Sequence, residues 1–99
     1  MPYRIQYSPE AESHLRALTA RQQAIGFDAV EAQLAHQPTL ETRNRKPMRP
    51  NPLAPWELRV GDLRVYYDVS EHPQPTVSSR AVGIKRRNRV WIGKEEFLF

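Results

Sequence analysis

Apolar and polar side chains alternate most regularly between Trp56 and Asp68, W-E-L-R-V-G-D-L-R-V-Y-Y-D, on either side of Gly61-Asp62. Two alternating runs about such a pair predict a β-hairpin. With Gly61 and Asp62 as the turn, Trp56 falls opposite Tyr67, Leu58 opposite Val65 and Val60 opposite Leu63. These apolar pairs share the face that must meet the core. Glu57, Arg59, Arg64, Tyr66 and Asp68 share the other, and a slip of one residue would exchange the two sets. Arg59 and Arg64 are placed directly across from each other, which is destabilising unless an acid or a bound polyanion intervenes. Glu57, one pleat from Arg59, is the acid within reach, so a solvated Glu-Arg-Arg cluster and a polyanion site both fit.

The same patterning extends to the flanking stretches. Tyr3, Ile5 and Tyr7 alternate with Arg4 and Gln6 as a short first strand. Ser8 can cap the helix that follows, Pro9 suits its first position, and Glu10 and Glu12 complement its dipole. Ala11, Leu15 and Leu18 form the inward stripe. Thr19-Ala20-Arg21-Gln22 has the form of a capping box, so a second helix is expected to run from here to about His36, with Phe27, Val30 and Leu34 buried.

From Pro38 to Pro55 five prolines and four cations replace the periodic pattern, and no regular element is expected there. This segment is either a solvated loop around the sheet edge or a loop facing RNA, with Arg43, Arg45, Lys46 and Arg49 on a stiffened backbone. After the hairpin, Thr76 to Lys85 predicts a strand diluted by Ser78, Ser79 and Gly83. Val90-Trp91-Ile92 permits a last short strand before Gly93. Phe97-Leu98-Phe99 either docks on the core or stays exposed for a partner. The expected class is α+β: a small antiparallel-rich sheet with two N-terminal helices on one face, in the order β-α-α-β-β-β.

Ninety-nine residues suit one domain, 1–99, with a single modest core. The absence of cysteine excludes disulfides and thiolate metal sites, and His14, His36 and His72 form no ligand spacing, so neither metal nor cofactor is expected. No apolar run approaches a membrane span, and the first residues lack a signal-peptide core; a cytoplasmic location without membrane contact is expected. Charge changes the picture further. Residues 1–42 hold three arginines against five acids, a net of −2, whereas residues 43–99 hold twelve cations against six acids, a net of +6. Twelve of the fifteen cations are arginine, which matches phosphate geometry and stacks on flat rings, so a nucleic-acid surface in the second half is a reasonable expectation.

Three segments, Y-S-P-E-A at the first helix, the Trp56–Asp68 hairpin and A-V-G-I-K-R-R-N-R-V-W from Ala81 to Trp91, together resemble the RelE/ParE superfamily of bacterial toxin-antitoxin toxins. The resemblance covers nearly the whole chain and implies a RelE-like fold. In the RelE branch it implies a ribosome-dependent mRNA endoribonuclease that works without metal or cofactor, with a cognate antitoxin as partner. In the ParE branch it implies a gyrase inhibitor or other non-catalytic binding toxin. Cleavage by a ribose 2′-OH needs a base, cations to stabilise the phosphorane, and an acid for the leaving 5′-oxygen. Arg59 falls at the family's hairpin lysine, Arg64 at the arginine of the next strand, and Lys85 at the arginine after V-G.

Two positions depart from the family pattern. Glu57 stands in place of an earlier hairpin lysine and is the candidate base, with Tyr66 on the same face as the alternative. Trp91 stands in place of the C-terminal tyrosine, and an indole cannot exchange a proton. It remains a base-stacking platform or a packing aromatic. Arg45, Lys46, Arg49, Arg86 and Arg87 complete the candidate nucleic-acid contacts.

Overall fold

A computed structural model describes residues 2–98. Its elements are β1 (Arg4–Tyr7), α1 (Pro9–Arg16), α2 (Ala20–Leu34), β2 (Arg45–Pro47), β3 (Trp56–Val60), β4 (Leu63–Ser70), β5 (Thr76–Arg86), β6 (Arg89–Ile92) and β7 (Glu95–Phe97). All seven strands join one sheet of order β2-β3-β4-β5-β6-β7, with β1 parallel to the first part of β5 and every other pairing antiparallel. Among the described residues no helix is long and apolar enough to cross a membrane.

Both helices begin as their sequences require. Ser8 Oγ accepts the Ala11 N–H at 3.0 Å, and Thr19 and Gln22 close the reciprocal capping box. The two helices cover one face of the sheet. Ala11, Leu15, Val30 and Leu34 pack there on Leu58, Val65, Tyr67, Val77 and Val82, with Trp56 and Val60 at the margin. Phe27 departs from the expected buried stripe: its side chain is 40% exposed and lies edge-on to Tyr7, while Gly26 takes the inward position. A helix turns about 100° per residue, so neighbouring positions divide between core and surface, and Gly26 is the one that faces Leu15 and Leu63.

The proline-rich segment is less irregular than expected. Arg45–Pro47 pairs with Trp56–Leu58 as an edge strand, where the missing N–H of Pro47 is tolerated. The chain likewise continues past Gly93 into β7, which pairs with β6 and carries Phe97 onto the sheet. Leu98 is exposed, and Phe99 lies outside the described residues. These two short strands are additions to the expected order.

A second cluster, Ala54, Tyr66, Ala81, Val90 and Ile92 with Met48, Leu53 and Phe97 against it, occupies the face away from the helices. One modest core was expected, and the sheet packs a buried apolar cluster on each of its faces. Gly83 lets β6 approach closely: a Cβ there would meet Ile92 Cγ1 and the Trp91 carbonyl at 2.8 Å. At the β2 end Asn51 folds residues 49–54 inward, donating to the Arg49 and Ala54 carbonyls while its Oδ1 accepts from the Leu53 and Ala54 N–H groups.

Candidate nucleic-acid interface

The register predicted about Gly61-Asp62 is the observed one, with Trp56 opposite Tyr67, Leu58 opposite Val65, Arg59 opposite Arg64 and Val60 opposite Leu63. Gly61 takes φ 56° at the turn, the left-handed conformation that favours glycine. The helices therefore cover the apolar pairs, and Glu57, Arg59, Arg64 and Tyr66 lie on the opposite face. Two rows cross this face. Lys46, Glu57, Tyr66 and Ala81 are successive cross-strand partners on β2 to β5, and Arg59, Arg64 and Gly83 form the next row toward the turn. Lys85 follows Gly83 on the same side, and its backbone N–H donates to the Asp62 carbonyl at 2.8 Å.

The two facing arginines avoid each other by taking different acceptors. Arg59 Nε donates to Glu57 Oε1 at 2.6 Å, whereas Arg64 Nη1 donates to the Gly61 and Leu63 carbonyls at 2.7 and 2.9 Å. Their environments differ accordingly. The Arg59 side chain is 48% exposed, and Arg64 as a residue only 8%. Arg64 pins the turn from beneath, while Arg59 presents its guanidinium to solvent. Lys85 is exposed and, among the described residues, forms no ion pair. The arrangement joins two accessible cations and one buried cation at one end of the sheet face.

Glu57 is 7% exposed and stands between Lys46 and Tyr66 in its row. Tyr66 is fully buried, and its phenol pKa is pushed well above the ordinary tyrosine range, first by burial and then by the charge and hydrogen bonding of Glu57. A phenol so held stays protonated, which makes Tyr66 a support for Glu57 and unsuited to serve as a base.

The other candidate residues distribute around this site. Lys46 adjoins it and pairs with Glu41 at 3.6 Å. Arg45 points to the helix side, donating to the Gln33 carbonyl at 2.5 Å and the Leu40 carbonyl at 3.1 Å, so it ties α2 to β2. Arg49 is exposed on the far loop and borders a cleft of about 430 Å³ with Asp68 and Arg80. Arg87 sits at the tip of the β5–β6 turn with φ 61°. Trp91 pairs with Ile84 and shares the helix-side face with it, bordering a cleft of about 230 Å³ with Leu18 and Arg86. The structure thus brings Arg59, Arg64, Lys85, Glu57 and Lys46 together and places Trp91 and Arg86 across the sheet from them.

Two structural contributors carried no sequence signal. Arg80 is the extra residue where the β4–β5 register shifts, and it meets Asp68 at 3.3 Å. A shift of register leaves no mark in a periodic pattern read one strand at a time. His14 Nδ1 accepts the Val82 N–H at 3.2 Å, joining α1 to β5. Burial lowers its pKa against the raising influence of Glu10 and Glu95. A cleft of about 570 Å³ beside it, lined in part by Glu10, Arg80, Ile92 and Phe97, contains none of Arg59, Arg64 or Lys85. Among the described residues no group of three or more histidines or carboxylates is placed to hold a metal ion.

No protein-family model and no curated protein matches the chain. Among solved structures, it is similar to a chain of the toxin-antitoxin complex RelBE2 from Mycobacterium tuberculosis, with a TM-score of 0.73 and 24% sequence identity over 86% of this chain and 93% of that one. At that identity the likeness establishes a shared fold, the RelE-like α+β arrangement expected from the sequence.

Proposed function

We propose that this chain is the toxin of a type II toxin-antitoxin module and acts in the cytoplasm as an endoribonuclease on mRNA bound to the ribosome, held inactive by a cognate antitoxin. The observation that carries the reading is the convergence of Arg59, Arg64 and Lys85 beside the carboxylate of Glu57, on the sheet face that the helices leave open. The fold shared with a chain of a toxin-antitoxin complex supports it.

The reaction follows from the side chains at hand. Arg59 and Lys85 take the phosphate oxygens, and Arg64 adds its charge from beneath. The Glu57 carboxylate takes the proton of the 2′-OH, whose oxygen then attacks the adjacent phosphorus. The bond from phosphorus to O5′ breaks, its electron pair leaves on O5′, and water supplies the proton that O5′ takes up. The products are a 2′,3′-cyclic phosphate and a 5′-hydroxyl end. Lys46, Arg49 and Arg87 extend the cationic surface along which the RNA backbone lies.

Gyrase inhibition without RNA chemistry is the second reading, and the position of Trp91 favours it. The residue at the family's tyrosine position is an indole on the opposite face, so β6 delivers no proton carrier to the cations. Induction in cells separates the two readings. New mRNA 5′ ends that appear only in translated frames support the ribonuclease. Intact mRNA with accumulated gyrase cleavage complexes supports the inhibitor.

A further inference from the structure

Glu57 and Arg59 form an ion pair of unequal partners. The carboxylate side chain is 9% exposed and lies in the row between Lys46 and Tyr66, whereas the guanidinium side chain is 48% exposed. Contact runs through Arg59 Nε at 2.6 Å, one of the five donors of a guanidinium. Carboxylate and phosphate are interchangeable partners for that group, since each offers oxygen acceptors to the same planar fork. A phosphate approaching Arg59 from solvent therefore meets a guanidinium whose Nε edge is already taken by a carboxylate from the protein.

We propose that Glu57 holds the place of a substrate phosphate on Arg59, so that an RNA phosphate binds by exchange, taking the guanidinium while the carboxylate is retained by Lys46 and Tyr66. The inference rests on reading this face as the phosphate site. A buried carboxylate that loses its only cation is strongly destabilised, so exchange requires a second cation within reach. Lys46 is the direct cross-strand neighbour of Glu57, which places the two Cβ atoms about 5 Å apart. Its present partner Glu41 is an exposed carboxylate at 3.6 Å, a contact worth little to give up. Tyr66 stands on the other side of Glu57 and stays protonated, and therefore able to donate.

Two consequences follow for what binds. A lone phosphate must displace Glu57 for the gain of Arg59 alone and binds weakly. A ribonucleotide chain that also reaches Lys85 and the surrounding cations gains enough to drive the exchange, so the place-holder selects polyanionic chains over free anions. The same step turns the carboxylate away from Arg59 when substrate arrives.

The test uses the intact chain, inorganic phosphate and an uncleavable 2′-deoxy oligonucleotide, with the Arg59 Nε–H resonance as reporter. In the wild type the resonance is expected to move to a new position as either ligand saturates. E57Q, which keeps the shape and removes the charge, is expected to bind phosphate at least about threefold more tightly than the wild type, the scale of removing one competing charge at a partly exposed pair. K46M is expected to bind it more weakly than the wild type. An Arg59 resonance that stays fixed on saturation, or E57Q binding phosphate no more tightly than the wild type, overturns the exchange. If affinities follow the expected order while ribosome-bound mRNA stays uncut, the exchange stands and the ribonuclease reading falls. If mRNA is cut while E57Q gains no affinity, the exchange alone falls.

Discussion

Arg59 and Arg64 stand directly opposite one another, and the fold tolerates this because each guanidinium has its own acceptors, Glu57 for one and the turn carbonyls for the other. Arg64→Ala should therefore do two things at once. Loss of the hydrogen bonds to Gly61 and Leu63 should cost about 1–2 kcal/mol of stability by chemical denaturation. Loss of its charge should lower kcat/KM for mRNA cleavage by on the order of 30-fold, about 2 kcal/mol. A variant that lost stability yet cleaved normally would make Arg64 a turn residue only. The faces of these residues were legible because a hairpin with a two-residue turn has one register, and the alternation then assigns every side chain. Their acceptors were not, since nothing in the spacing says that Arg64 turns back on the carbonyls of Gly61 and Leu63. Gly83 dilutes the apolar pattern of its strand, and in the fold it permits a close approach of β6. Gly83→Ala should destabilise the chain by about 1–3 kcal/mol, because the Cβ meets the Trp91 carbonyl and Ile92 at 2.8 Å and β6 must shift to admit it.

The segment from Met48 to Ala54 behaves as one element closed by a single side chain. Asn51 makes both donor and acceptor contacts to its own loop, and Met48, Leu53 and Ala54 thereby reach the second apolar cluster. Asn51→Ala should cost about 1–2 kcal/mol and raise amide exchange in this loop first, with α1 and α2 unaffected. Proline density alone suggested a loop without order; the short strand β2 and the asparagine clasp depend on partners distant in sequence. The junction of α1 and β5 has a pH dependence of definite sign. The His14 ring must be neutral to accept the Val82 N–H, and its pKa in the fold lies below the ordinary histidine value. Its contribution is therefore complete above the unfolded value near 6.5 and is lost as pH falls through the lower folded value. Stability measured from pH 7.5 down to 5 should fall more steeply in the wild type than in His14→Gln.

At the scale of the molecule, helices close one side of the sheet, and the opposite side, capped at its ends by β6–β7 and the Asn51 loop, presents the cations. The sequence already placed the positive charge in the second half of the chain and the arginines away from the core. It did not show the second cluster, whose members come from β4, β5, β6, β7 and the Met48–Ala54 loop and meet only once the strands are paired. Nor did it show that Trp91 points to the helix side, because the β5–β6 register depends on the turn at Arg87-Asn88. The proposed function requires that mRNA cleavage be carried out on the open face by Glu57 and the cations beside it. The direct measurement is single-turnover cleavage of mRNA on programmed ribosomes by purified wild type, Arg59→Ala, Lys85→Ala, Glu57→Gln and Trp91→Ala, with the ends of the products identified. The expected result is 2′,3′-cyclic phosphate and 5′-hydroxyl ends from the wild type, rates lowered by at least about tenfold in the first three variants, and a smaller effect for Trp91→Ala. Wild-type rates in both Arg59→Ala and Glu57→Gln, or no cleavage by the wild type on any programmed ribosome, would contradict it.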